Sequence, residues 1–185
     1  MKKSFALLPT LITAILLSTP MLKAQPYNFA HDAEGETYVS GAITYEGSSH
    51  LALSRLKEYL QTIYDDEQLS IDPETGVIRI VNATAESKNI YQPFVGEMKD
   101  YVFYDLTITP QEEAKRFRCT FSNLELYSTI KGFIHKEYCD TIGNILKKHT
   151  LGKTSSKAMA NLTTSLSMAS EALYILIERV QENIE

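Results

Sequence analysis

Apolar and polar positions alternate along this chain in two rhythms, and each rhythm predicts an element. From Tyr38 to Tyr45, Val39, Ile43 and Tyr45 fall on one side and Tyr38, Ser40, Ala42 and Thr44 on the other, the two-residue period of a strand. After the turn at Gly47-Ser48-Ser49, Leu53, Leu56, Leu60 and Ile63 recur at spacings of three and four. That stripe predicts an amphipathic helix over 49–64, with Asp65-Asp66-Glu67 as its exit. Leu69 to Ile71 is a short strand candidate. Asp72-Pro73-Glu74-Thr75-Gly76 then folds the chain back, because proline presets φ and glycine supplies a positive one. Strands follow at 77–84, 101–109 and 115–126. A polar stretch through Lys88, Pro93 and Gly96 joins the first of these to the second, and Pro110-Gln111-Glu112-Glu113 turns into the third.

Residues 127–155 carry Lys131, Lys136, Lys147, Lys148 and Lys153 and read as a basic insert, within which Ile142, Ile145 and Leu146 suit a short helix. The last element is a helix over about 156–183. Its stripe of Met159, Leu162, Leu166, Ala169, Leu173, Leu176 and Val180 fits a coiled coil or a single helix lying across a sheet. Thr163 and Ala169 weaken a zipper and favour the second reading. The expected fold is therefore α+β and two-layered. An antiparallel sheet of about five strands carries helices on one face, in the order β-α-β-β-β-β-α.

Covering one face divides the strand residues in two. Ile43, Ile78, Ile80, Val102, Leu106, Ile108, Phe117 and Phe121 go to the core. The other face shows Tyr38, Arg79, Tyr101, Phe103, Asp105 and Arg118 among Thr44, Val81 and Thr120. Rigid rings with arginine and hydroxyls have the composition of a contact surface. The same residues also fit a half-solvated sheet face on which Arg79, Asp105 and Arg118 form a cross-strand charge ladder.

The N-terminus changes the setting. Met1-Lys2-Lys3 leads an apolar run from Phe5 to Leu17, then Pro20 and Leu22-Lys23-Ala24, which together read as a cleavable export signal over 1–24. The run is short for a membrane span. A flexible lead-in over 25–36 and one domain over 37–185 would remain, with no transmembrane span and a periplasmic or secreted location. That product has about 160 residues, enough for one ordinary core. It carries 15 basic against 23 acidic side chains, a net charge of −8. An exported acidic domain is a poor nucleic-acid binder. In an oxidising compartment Cys119 and Cys139 either bridge, or Cys119, in phase with Phe117 and Phe121, is a small core residue.

No motif for catalysis appears: there is no phosphate-binding glycine loop, no serine nucleophile signature and no paired histidines at metal spacing. His31, His50, His135 and His149 are scattered. His135 with Cys139 would offer two metal ligands on one helix face, too few for a structural zinc. No catalytic residue, metal site or cofactor is expected. The favoured function is a non-enzymatic binding module for a protein, peptide or glycan of the cell envelope. The alternative is a small extracytoplasmic enzyme or enzyme inhibitor whose site converges only in three dimensions.

The sequence resembles a family of secreted bacterial domains of unknown function with a TATA-binding-protein-like (TBP-like) fold. The likeness runs through Gly35-Glu36-Thr37-Tyr38 to Tyr45, Leu53-Ser54-Arg55-Leu56, and Asp72-Pro73-Glu74-Thr75-Gly76-Val77-Ile78. It continues through Tyr101-Val102-Phe103-Tyr104-Asp105-Leu106-Thr107-Ile108 and Lys115-Arg116-Phe117-Arg118-Cys119-Thr120-Phe121. It implies that fold and an extracytoplasmic compartment, and brings no activity or functional residues with it.

Overall fold

A computed structural model describes residues 29–93, 96–132, 135–151 and 156–184; the export signal expected over 1–24 and the first four residues of the expected lead-in lie outside them. Among the described residues seven strands form one sheet. They are β1 (Ala30–His31), β2 (Thr37–Thr44), β3 (Leu69–Ile71), β4 (Ile78–Gln92), β5 (Gly96–Gln111), β6 (Arg116–Lys131) and β7 (Lys136–Thr141). Helix α1 (Ser49–Ile63) follows β2, while α2 (Ile142–Thr150) and α3 (Ser156–Ile184) close the chain. The sheet order is β1-β2-β6-β5-β4-β3, with β7 also paired to β6. All pairings are antiparallel.

The two-layer arrangement matches the expectation, and the strand count exceeds it. Both additions lie where the sequence looked loose. Within the lead-in, the Asp32 carboxylate accepts N–H bonds from Glu34 and Glu36 (3.1 and 2.8 Å), and Gly35 adopts φ +85°, so the segment turns back as β1. Inside the basic insert, β6 runs on to Lys131 and β7 returns beside it before α2. The polar link between the second and third long strands is itself sheet. β4 and β5 continue as one ladder from Ile78↔Ile108 to Gln92↔Gly96.

The core lies between the sheet and the helices. Every residue assigned to it from alternation is buried: Ile43, Ile78, Ile80, Val102, Leu106, Ile108, Phe117 and Phe121. α1 contributes Ala52, Leu56 and Leu60, and α2 contributes Ile142 and Ile145. α3 lies across β2, β4, β5 and β6 and packs against α1, as a covering helix. It buries Leu166, Ala169, Leu173, Ile177, Val180 and Ile184. Ile177 thus takes the core position expected of Leu176, which is only partly buried. The close approach of α3 to β2 needs Gly41: a Cβ there would stand 2.5 Å from Ile177 Cδ1. At the far end of α3, the Gln181 amide bonds both the N–H and the C=O of Thr44 (2.7 and 2.9 Å).

One polar cluster is buried beneath the N-terminal half of α3. Asp100 is 3% exposed. Its Oδ2 accepts from Ser165 Oγ at 2.6 Å and lies 3.5 Å from Lys88 Nζ. Lys88 and Asp100 face each other across β4 and β5, so the ion pair ties the two strands of the extended ladder, and the Ser165 hydroxyl bond to Asp100 fastens α3 to it.

Candidate functional site

Side chains directly opposite in a ladder share a face, so register assigns each residue without ambiguity. The six residues singled out from the sequence all stand on the face turned away from α1 and α3. They do not form one cluster.

Tyr101 and Phe103 occupy the half of the face nearer the β4–β5 turn. There they meet Tyr127, which lies opposite Tyr101. The Tyr101 and Tyr127 ring centroids are 6.3 Å apart with planes at 35°, and Phe103 meets Tyr127 edge-on at 6.1 Å and 63°. All three rings are half-buried. Glu86 lies opposite Tyr101 on β4, Glu125 opposite Phe103 on β6, and Cys139 opposite Tyr127 on β7. The Tyr127 hydroxyl is held above its ordinary pKa by desolvation and then by the Glu137 carboxylate, to which it hydrogen-bonds.

Arg79 and Arg118 belong to the other half. Arg79 lies opposite Thr107, and Arg118 stands between Thr109 and Ala42. Tyr38 sits further out on β2, opposite Ala30 of β1. The expected Arg79–Asp105–Arg118 ladder does not form, because the Asp105 carboxylate is engaged elsewhere. Its Oδ1 accepts the Asn82 N–H (2.8 Å) and its Oδ2 accepts from Asn123 Nδ2 (2.6 Å). Each asparagine sits at a register shift in its strand, at φ +52° and +50°. Asparagine tolerates this left-handed conformation better than most side chains. Asp105 therefore clamps two bulges, one on each side of the central strand, and divides the face into its ring half and its arginine half.

Tyr127 escapes the sequence reading because the strand was expected to end at 126, whereas β6 runs on to Lys131, and the bulge at Asn123 sets the face it then takes. Up to Phe121 the odd-numbered residues of β6 are buried; beyond it Leu124 and Leu126 are. One switch of parity moves Tyr127 from the core side to the open face. The signal was present in the change of apolar phase from Phe117-x-Cys119-x-Phe121 to Leu124-x-Leu126.

The bulge also separates the cysteines. Cys119 is buried on the helix side, and Cys139 is exposed opposite Tyr127 on the open face. Tyr127 stands eight positions along the strand from Cys119, about 26 Å at the usual rise. A bridge between Cys119 and Cys139 is thereby excluded, and both are free. Burial pushes the Cys119 thiol up to about 12, while desolvation and then Glu125 raise that of Cys139. The His135 and Cys139 metal pairing depended on a helix. From Lys136 the segment is strand, where residues four apart stand about 13 Å from each other. His135 Nε2 instead lies 3.3 Å from Glu137. Among the described residues no three His, Cys, Asp or Glu side chains come together to hold a metal ion.

Several clefts open among the described residues, and two of those beside the sheet hold paired polar side chains. One of about 610 Å³ opens where β2 gives way to β7 along β6, with His31, Thr37, Glu125, Asn144 and Lys147 among its lining. Its polar contact is His31 Nδ1 to Thr37 Oγ1 at 3.2 Å. Another of about 670 Å³ lies between α1, α3 and β4, where the hydroxyls of Tyr64 and Tyr104 are 2.9 Å apart. Burial raises both pKa values, so the pair stays protonated and acts as a structural hydrogen bond. Neither cleft is lined by a residue singled out from the sequence.

The fold is TBP-like. It is similar to the crystal structure of a TBP-like protein from Parabacteroides distasonis, with a TM-score of 0.53 at 14% identity over 84% of this chain and 99% of that one. It is also similar to a DUF4468 family protein from Bacteroides ovatus, with a TM-score of 0.52 at 10% identity over 85% and 91% of the two chains. At such identities the likeness is one of fold. No protein-family model and no curated protein matches the sequence.

Proposed function

We propose that the chain is an exported, non-enzymatic binding module of the cell envelope that docks a protein, peptide or glycan on the open sheet face. The observation that carries this reading is the group of Tyr101, Phe103 and Tyr127, in which Tyr127 meets both other rings on a face that no helix among the described residues covers. Clustered rigid aromatics bury contact area at low entropic cost and commonly anchor interfaces. Export rests on the charge and apolar pattern of residues 1–24. Among the described residues no helix is long and apolar enough to cross a membrane.

Replacing Tyr101, Phe103 and Arg118 together by alanine tests the reading. Half-exposed cross-strand pairs contribute about 0.2–1 kcal/mol each, so the variant should still fold. It should no longer capture the partner that the wild-type chain retains from envelope extracts. Unchanged capture by a folded variant would sink the docking face. N-terminal sequencing of protein from the periplasmic fraction checks export: a chain beginning near Gln25 supports it, and an intact Met1 in the cytoplasmic fraction contradicts it.

A further inference from the structure

We propose that the ring half of the open face takes the basic side chains of an extended peptide segment of a partner protein. This rests on the reading of that face as a docking surface and narrows it to one chemistry. Tyr101, Phe103 and Tyr127 present ring surface whose quadrupole attracts cations. Carboxylates flank them on both sides: Glu86 beyond Tyr101 on β4, and Glu125 beside Phe103 and Tyr127 on β6. Rings alone also accept apolar side chains, and exposed carboxylates alone hold cations weakly in water. Together they form a surface complementary to lysine or arginine, whose alkyl stems lie on the rings while the charged heads reach the acids.

Lys99, Lys131 and His135 are nearby cations, and Lys131 stands opposite Glu97 in the ladder. Lys99, next along β5 on the same face, is paired with Glu97 at 2.9 Å, and His135 is directed to Glu137. Glu86 and Glu125 lie on strands two positions apart in the sheet, roughly 10 Å across it. One ammonium group cannot satisfy both at that separation. Basic residues spaced along an extended chain can, because alternate side chains project to the same side about 7 Å apart. Charge complementarity and spacing therefore select an extended basic segment over a single small cation. The arginine half carries the opposite sign, with Arg79 and Arg118, and would repel that segment if it shifted along the face.

The test uses the full chain and a synthetic peptide of alternating lysine and threonine, Lys-Thr-Lys-Thr-Lys, blocked at both ends, with its Glu-Thr-Glu-Thr-Glu counterpart as control. Chemical-shift titration should place lysine-peptide binding at Tyr101, Phe103 and Tyr127, weakened by added salt, with no response to the acidic peptide. Glu86→Gln combined with Glu125→Gln should raise the Kd at least tenfold with the rest of the spectrum unchanged. Equal binding of both peptides, binding of neither, or an unaltered Kd in the double variant would overturn the inference. Each of those results leaves the docking face to be judged separately by the alanine triple variant.

Discussion

Removing Asp100 should destabilise this protein more than its place in a polar, lysine-rich stretch of sequence suggests. The Asp100 and Lys88 side chains are only 4% and 11% exposed, and their charged atoms are 3.5 Å apart. Asp100→Leu would leave the Lys88 ammonium under α3 without its counter-charge and Ser165 Oγ without its acceptor. Breaking a buried pair by deleting one partner costs about 3–5 kcal/mol, mostly the desolvation of the charge left behind. For a domain of this size 1 kcal/mol shifts Tm by about 2–4 °C, so a fall of roughly 6–20 °C is expected. Lys88→Met combined with Asp100→Leu removes both charges together, and such replacements are often neutral or stabilising. Urea unfolding of wild type, single and double variants at constant m-value separates the two effects. A single-variant loss under about 1 kcal/mol, or a double variant as unstable as the single, would refute the account of Asp100 as the buried counter-charge of Lys88 and the acceptor that holds Ser165 of α3.

Three further outcomes follow from the same geometry. In the native protein Cys139 should react with a maleimide and Cys119 should not, with no disulfide in non-reducing mass analysis; a Cys119–Cys139 cross-linked peptide would contradict the placement of the two on opposite faces. Raising the pH should speed Cys139 labelling at higher pH than for an unstructured cysteine peptide, because desolvation and Glu125 raise its pKa. Asn123→Val should cost about 2 kcal/mol or more, since a β-branched residue resists φ +50° and the bond to Asp105 is lost, whereas Asn123→Gly should cost less despite the same lost bond. Equal losses for the two would refute left-handed strain at the bulge.

The pattern of alternation was sufficient to place the core and the open face, because antiparallel strands covered on one side alternate strictly while register holds. It failed where register breaks. The shifts at Asn82 and Asn123 are single-residue events, fixed by the Asp105 carboxylate from the neighbouring strand, and no window of sequence contains all three residues. Tyr127, assigned to the insert by a strand ended at 126, takes the open face only because of the second shift. The ends of the long strands were lost for a different reason: Lys88, Asn89, Lys99 and Asp100 resemble a loop, yet ladder bonds and the Lys88–Asp100 pair hold them in strand. The proposed charge ladder paired Arg79, Asp105 and Arg118 by sign alone, whereas Asp105 is taken by backbone and amide donors beside it. The disulfide likewise seemed open from spacing and is closed by the position of the two residues on the sheet.

The direct test of the open face as the working surface is photo-crosslinking in cells that naturally make the protein. A photoreactive phenylalanine replaces Phe103 or Thr107 on the open face, or the exposed Ile175 on α3. A discrete adduct from positions 103 and 107, absent from 175, is the predicted result. An adduct formed only at 175, or none at either open-face position, would contradict the assignment.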